Sequence, residues 1–325
     1  MNSRFTKFLI KAFSLLMSLY YFFGGTAVTP QTTDPIKPLN SYNVKLHAVV
    51  WADPQVSNYK PDRMPYFEAA CEDLKNSPKK LDALLIAGDI AENGLYCEYK
   101  MVFDGVKNDK IKNYLMVTGN HDIRMRIYKD DVYRFTTFTN GLNEHAKSDL
   151  HIDELHYSYK VNGYTFIVLG SDRSEFEEGW FIDSQLKWLD SEIKEASKSG
   201  KPVFVINHQP LKLTHGLPDT WGSPIESAGS VGKQSDKLYE IMNKYEDVIF
   251  ITGHLHTGYG EYTYEKIGNF HSINLPSLTI KNENGDCNDR GIGYMMEVYS
   301  GKVIFRARNF AQGKYVPEYD ITIKY

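Results

Sequence analysis

Only three cysteines occur in the 325 residues, Cys71, Cys97 and Cys287, and they show no metal-binding spacing. Three thiols are too few for a disulfide scaffold and allow one internal bridge at most, with Cys71 and Cys97 in segments that could meet. The chain has no internal repeat, no low-complexity tract beyond a short linker, and no basic run. With 37 Lys+Arg against 41 Asp+Glu and a formal net charge of −4, nothing favours non-specific binding to nucleic acid or to an anionic membrane. What remains, 42% apolar and 24% charged residues, is the composition of a globular chain with a sizeable core.

Residues 1–27 differ from the rest. Arg4, Lys7 and Lys11 precede the apolar stretch AFSLLMSLYYFF, and the small residues GGTA follow. That order is the order of a secretory signal, with Gly25-Thr26-Ala27 as a fitting cleavage site. The competing reading is an uncleaved anchor, but the apolar stretch falls short of the roughly 20 residues a bilayer span needs. No Cys lies near the cleavage site, which argues against a lipid anchor. Cleavage removes three bases and no acid, so the net charge moves from −4 to −7. The expected location is therefore extracytoplasmic: secreted, periplasmic or at the cell surface. Residues 28–43, rich in Pro, Thr and Asp, read as an extended linker, and residues 44–325 as one domain.

From residue 44 short apolar strands alternate with amphipathic helices. KLHAVVWA, LDALLIAG, NYLMVTG, YTFIVLG, KPVFVINH and EDVIFITG are the strands. PYFEAACEDLKNS, EYKMVFDGVKN, DSQLKWLDSEIKEASKSG and QSDKLYEIMNKY are the helices. This alternation predicts an α/β fold with largely buried sheets. Residues 261–325 read as β-meander.

The strand ends are polar in a recurring way. They deliver Asp53, Asp89 in AGDIAENG, Asn120-His121-Asp122 in TGNHD, His208 in NHQP, and His254 and His256 in TGHLH. Ligands of open α/β sheets bind at the carboxyl ends of the strands. Carboxylates, an amide and imidazoles gathered there are a ligand set for divalent Mn, Fe or Zn. Each element alone reads as a helix cap or a turn. Packing does not require all five in order. His151, His156 and His271 read as structural histidines.

The ordered set DPQ, GDIAENG, GNHD, NH and GHLH resembles the calcineurin-like metallophosphoesterases over about residues 44–260. The resemblance implies a four-layer α/β/β/α sandwich of two mixed sheets flanked by helices. It also implies two divalent metals, with Mn favoured over Fe or Zn here. Carried over by motif, Asp89 bridges the metals; Asp53, Gln55 and His256 hold the first; Asn120, His208 and His254 hold the second. His121 faces the substrate phosphate as stabiliser or general acid, oriented by Asp122. The nucleophile implied is a metal-bound hydroxide, and no Ser or Cys nucleophile sits in the motifs.

Gln55 stands where most of the family has His, which implies a looser first metal that prefers Mn to Zn. Arg124, Arg126, Asp172 and Arg173 lie close enough in sequence to border the rim, and Tyr259 could stack on a leaving group. The stretch with His215 and Trp221 has the composition of a long surface loop. The expected activity is hydrolysis of a small-molecule or headgroup phosphodiester. A monoesterase on the same site and a weakly catalytic metal-binding scaffold are the alternatives. A nuclease is disfavoured by the net charge, and no nucleic-acid partner is expected.

Overall fold

The protein is described by a computed structural model over residues 34–124 and 127–325. The segment 1–27 expected as a signal, residues 28–33 of the expected linker and Arg126 lie outside the described residues. The first run of elements is β1 (Leu46–Trp51), α1 (Met64–Lys75), β2 (Ala83–Ala87), α2 (Tyr96–Val106), β3 (Tyr114–Val117), a single turn α3 (Asn120–Ile123) and α4 (Tyr128–Ala146). The second is β4 (Tyr157–Val161), β5 (Tyr164–Val168), α5 (Asp183–Ser197), β6 (Val203–Ile206), α6 (Ser235–Met242), β7 (Val248–Thr252), β8 (Tyr264–Ile267) and β9 (Phe270–Asn274). The meander follows as β10 (Ile292–Tyr299), β11 (Lys302–Asn309), β12 (Lys314–Tyr315) and β13 (Ile321–Lys324).

Two mixed sheets result. One has the order β12-β11-β10-β1-β2-β3 with β13 on β11, and the other the order β4-β5-β6-β7-β9-β8. β1, β2 and β3 are mutually parallel, as are β5, β6, β7 and β9. Strands buried on both faces carry nearly continuous apolar sequence, as ALLIA does throughout and LHAVVW does apart from His47. The two-residue period assigns each side chain to a layer. In β6, Phe204 and Ile206 enter the core shared by both sheets, with Phe204 stacked on Phe166 at 4.8 Å. Val203 and Val205 point the other way, into a second cluster with Leu189 and Ile193 of α5 and Leu238 of α6. The first sheet is covered by α1, whose buried Phe67, Ala70, Cys71 and Leu74 recur at helical spacing. The sandwich expected from sequence is the fold observed.

Residues 34–40, expected as part of an extended linker, are instead strapped to the first sheet. Arg308 donates to the carbonyl of Asp34 and Arg306 to that of Lys37, each at 2.9 Å. The N–H of Leu39 donates to Glu297 at 3.0 Å, and Ile36 is buried. Beneath the strap, Arg308 makes a bidentate pair with Asp73 of α1 at 2.8 and 2.7 Å, both side chains buried.

Candidate metal centre

The parallel strands of both sheets end at one rim, and there the backbone leaves the strand through the left-handed region. Asp53, Gln55, Asp89, His254 and His256 have φ of 50°, 35°, 47°, 74° and 50°. Non-glycine residues seldom adopt such angles, at a cost on the order of 1 kcal/mol or more each. Five at one rim mark a place where side-chain direction matters more than backbone ease. Glycine makes the close approaches possible. A Cβ on Gly88 would come within 3.0 Å of the His208 ring, and one on Gly119 would do the same to the Asp89 carboxylate.

The turns bring the expected ligands together. Asp89 Oδ2 accepts from the side-chain amide of Gln55 at 2.8 Å and lies 3.2 Å from His208 Nε2. The N–H of His121 donates to Asp89 Oδ1 at 2.9 Å. His254 Nδ1 is 3.2 Å from His208 Nε2, and the N–H of His254 donates to Asp53 Oδ2 at 3.0 Å. His256 Nε2 lies 3.2 Å from Asp53 Oδ1. Ligand-capable atoms of Asp89, His208 and His254 all fall within 4.8 Å of one another.

The electrostatics ask for a cation. Asp53 and Asp89 are both buried. Burial opposes ionisation of Asp89, but His208 and His121 hold its carboxyl well below the usual range. Burial would also neutralise His208, yet Asp89 and Asp53 raise it to about 10. Its Nδ1–H donates to the Ala87 carbonyl at 2.9 Å, so Nε2 is the nitrogen facing the carboxylates. Burial and His208 together push His254 well below the ordinary imidazole range. Of the buried polar atoms without a hydrogen-bond partner among the described residues, two belong to expected ligands, Nε2 of His254 and Oδ1 of Asn120. Orphaned buried polar atoms are costly and rare. Beside two buried carboxylates, they fit a site built for divalent ions.

Asp122 is placed differently from expectation. Its carboxylate accepts from the N–H groups of Gly119, Ile90 and Ala91 and from the Tyr99 hydroxyl, at 2.8 to 3.1 Å. Burial, then Asp89, push it up to about 7 against those donors. It ties the GNHD turn to the GDIAENG turn and does not orient His121. That task falls to Glu92, whose carbonyl lies 2.8 Å from His121 Nδ1. A carbonyl only accepts, so the proton sits on Nδ1 and Nε2 is turned to the centre, 3.9 Å from Asp89 Oδ2. Arg124 Nη2, 3.0 Å from the same Nδ1, is then a charged neighbour and not a donor to it.

Other expectations at the rim are corrected. Tyr259 is fully buried, and its hydroxyl exchanges hydrogen bonds with the backbone of Gly293 and Arg308. His215 is buried, not on a surface loop, with its nitrogens 2.8 Å from the Tyr262 carbonyl and the Ser272 hydroxyl. Asp172 receives Gln185 and the N–H of Ile182, while Arg173 lies over Trp180. Trp221 does reach the centre, stacked on His254 at 4.6 Å. All three cysteines are free. Sequence reasoning missed Glu92 and Glu177. Glu177 accepts from the Asn120 amide at 2.9 Å, and its only sequence signal is a place on the loop after a parallel strand.

Residues 46–258 match the calcineurin-like phosphoesterase family. The chain is 23% identical over 212 residues to a 3',5'-cyclic-nucleotide phosphodiesterase of Nostoc sp., covering 65% of this chain and 68% of that protein. It is 25% identical over 186 residues to a protein of Arcobacter nitrofigilis named "Probable glycerophosphodiester phosphodiesterase", covering 56% of this chain and 59% of the relative. In fold it is similar to a dimetal phosphatase from Danio rerio, with a TM-score of 0.55 and 14% identity over 87% of this chain and 100% of the other. A purple acid phosphatase from yellow lupin seeds gives a TM-score of 0.57 and 12% identity over 86% of this chain and 53% of that one. By its matched motifs and the rim they build, the chain belongs to the calcineurin-like phosphoesterases, a family of metal-dependent phosphoric ester hydrolases.

Proposed function

We propose that the protein hydrolyses a phosphodiester of a small molecule or lipid headgroup with two divalent metals, Mn favoured. The observation that carries this reading is the buried cluster of Asp53, Asp89, His208 and His254 with its orphaned His254 and Asn120 atoms. Asp53, Gln55, Asp89 and His256 would hold one ion, and Asp89, Asn120, His208 and His254 the other. Bound divalent ions supply Lewis acidity and activate water for attack on phosphorus. The chain's own part is to hold the Asp89 carboxylate ionised and to keep His121 Nε2 turned toward the centre through the Glu92 carbonyl. An imidazole so placed, when doubly protonated, donates to a phosphoryl or leaving oxygen. The two curated relatives, both named as diesterases, favour diesters over monoesters.

The test is hydrolysis of bis(4-nitrophenyl) phosphate and 4-nitrophenyl phosphate with added Mn, by wild type and His121→Asn. Diester turnover falling at least about a hundredfold in the variant supports the reading. Dominant monoester turnover makes the protein a phosphatase on the same site, and no turnover with metal bound favours a scaffold. The basic-then-apolar start of the sequence adds that the enzyme acts outside the cytoplasm. Sequencing of the purified mature protein should then begin at Val28, and a chain beginning at Met1 would overturn export with cleavage.

A further inference from the structure

We propose that Glu177 sets the choice between singly and doubly charged phosphate esters by neutralising Arg124 beside His121. The inference rests on the phosphoesterase reading of the site. Glu177 lies on the loop between β5 and α5, half-exposed at the mouth of the centre. One carboxylate oxygen accepts from the Asn120 side-chain amide at 2.9 Å, and the other pairs with Arg124 Nη1 at 3.3 Å. The neighbouring Phe176 carbonyl takes the same Asn120 amide at 3.1 Å, and the Phe176 ring lies against the guanidinium at 5.1 Å. Arg124 is thus held in place and already paired.

Among the described residues, Arg63 near the centre is paired in the same manner. Arg63 Nη1 donates to the backbone carbonyl of Gln55 at 3.1 Å and pairs with Glu92. An unpaired Arg beside His121 would grip two phosphoryl oxygens in a fork. Tied to Glu177, it offers no surplus positive charge. A phosphodiester carries one negative charge, whereas a monoester carries most of a second near neutral pH, its second pKa being about 6. That second charge meets a neutralised arginine and an adjacent carboxylate. Arg124 and Glu177 have side-chain exposures of 16% and 35%, so water and salt screen the effect and a factor of about ten is expected, not thousands.

Glu177→Gln isolates the charge, because the amide oxygen can still accept from Asn120 while Arg124 is released. Glu177→Asp keeps the charge. Both would be Mn-loaded to equal metal content by elemental analysis and assayed on the two nitrophenyl esters. In Glu177→Gln the diester-to-monoester ratio of kcat/KM should fall about tenfold through a gain on the monoester, and inorganic phosphate should inhibit more tightly. Glu177→Asp should keep the wild-type ratio. A ratio unmoved in Glu177→Gln, an equal loss on both esters, or identical ratios in the two variants would overturn the inference. Wild type turning over neither ester would instead remove the phosphoesterase reading beneath it.

Discussion

Gln55 donates its side-chain amide to the same Asp89 oxygen that lies 3.2 Å from His208 Nε2. With its NH2 so engaged, the carbonyl oxygen is the atom Gln55 has left for a cation. A neutral amide oxygen is a harder and weaker donor than imidazole. Wild type should therefore lose one of two ions on dialysis against a chelator, while Gln55→His retains both, as read by elemental analysis. Two zinc ions surviving prolonged chelation of wild type would count against this.

Gly119→Ala should cut activity about a hundredfold without unfolding the chain. The new Cβ would sit within 3.0 Å of the Asp89 carboxylate and of its backbone nitrogen, so the carboxylate must move. A displacement on the order of 1 Å costs about a hundredfold in rate. Unchanged circular dichroism with activity and metal content both reduced is the expected pair of results.

Asp73→Ala tests stability apart from chemistry. Arg308 is 0% exposed, and removing its bidentate partner strands a buried guanidinium. The loss should be about 3–5 kcal/mol by urea denaturation. Replacing both partners together, Asp73→Leu with Arg308→Met, should recover most of it, because the cost arises from the unpaired charge.

His215 makes the fold acid-sensitive. Burial lowers its pKa from 6.5 to about 4, opposed by its bond to the Tyr262 carbonyl. As pH falls below 6.5 the unfolded imidazole takes up a proton that the folded one refuses until about 4. The unfolded state binds more protons in that window, so stability is full above it and lost as pH falls through it. The gap is worth on the order of 3 kcal/mol. Metal-free His215→Gln should show a shallower decline between pH 6.5 and 4 than metal-free wild type.

The site was legible because its ligands follow buried strands, where polar residues have few structural excuses. Asp53, Asp89 and His254 stand out against VVWA, LLIAG and IFITG for that reason. The partners that tune them were hidden. Glu92 acts on His121 through a backbone carbonyl, which any residue possesses. Tyr259 follows GHLH by sequence but turns into the sandwich, because its hydroxyl has four backbone groups waiting there. The bounds of α4 were equally obscure. Its buried side includes Asp131, Thr136, Thr139 and Asn143 among Phe135 and Leu142, which breaks the apolar period. Asn143 is buried because its side chain exchanges hydrogen bonds with both backbone groups of Tyr114 on β3, an edge strand.

The strap at residues 34–40 has a mechanical consequence. Tension applied upstream of Asp34 would reach the guanidinium groups of Arg308 and Arg306 before it reached β1. Those two side chains grip carbonyls across β11, so the pull would be shared over a sheet face and not concentrated on the strand that ends in Asp53. Loads on the amino end would therefore leave the metal-binding rim undisturbed.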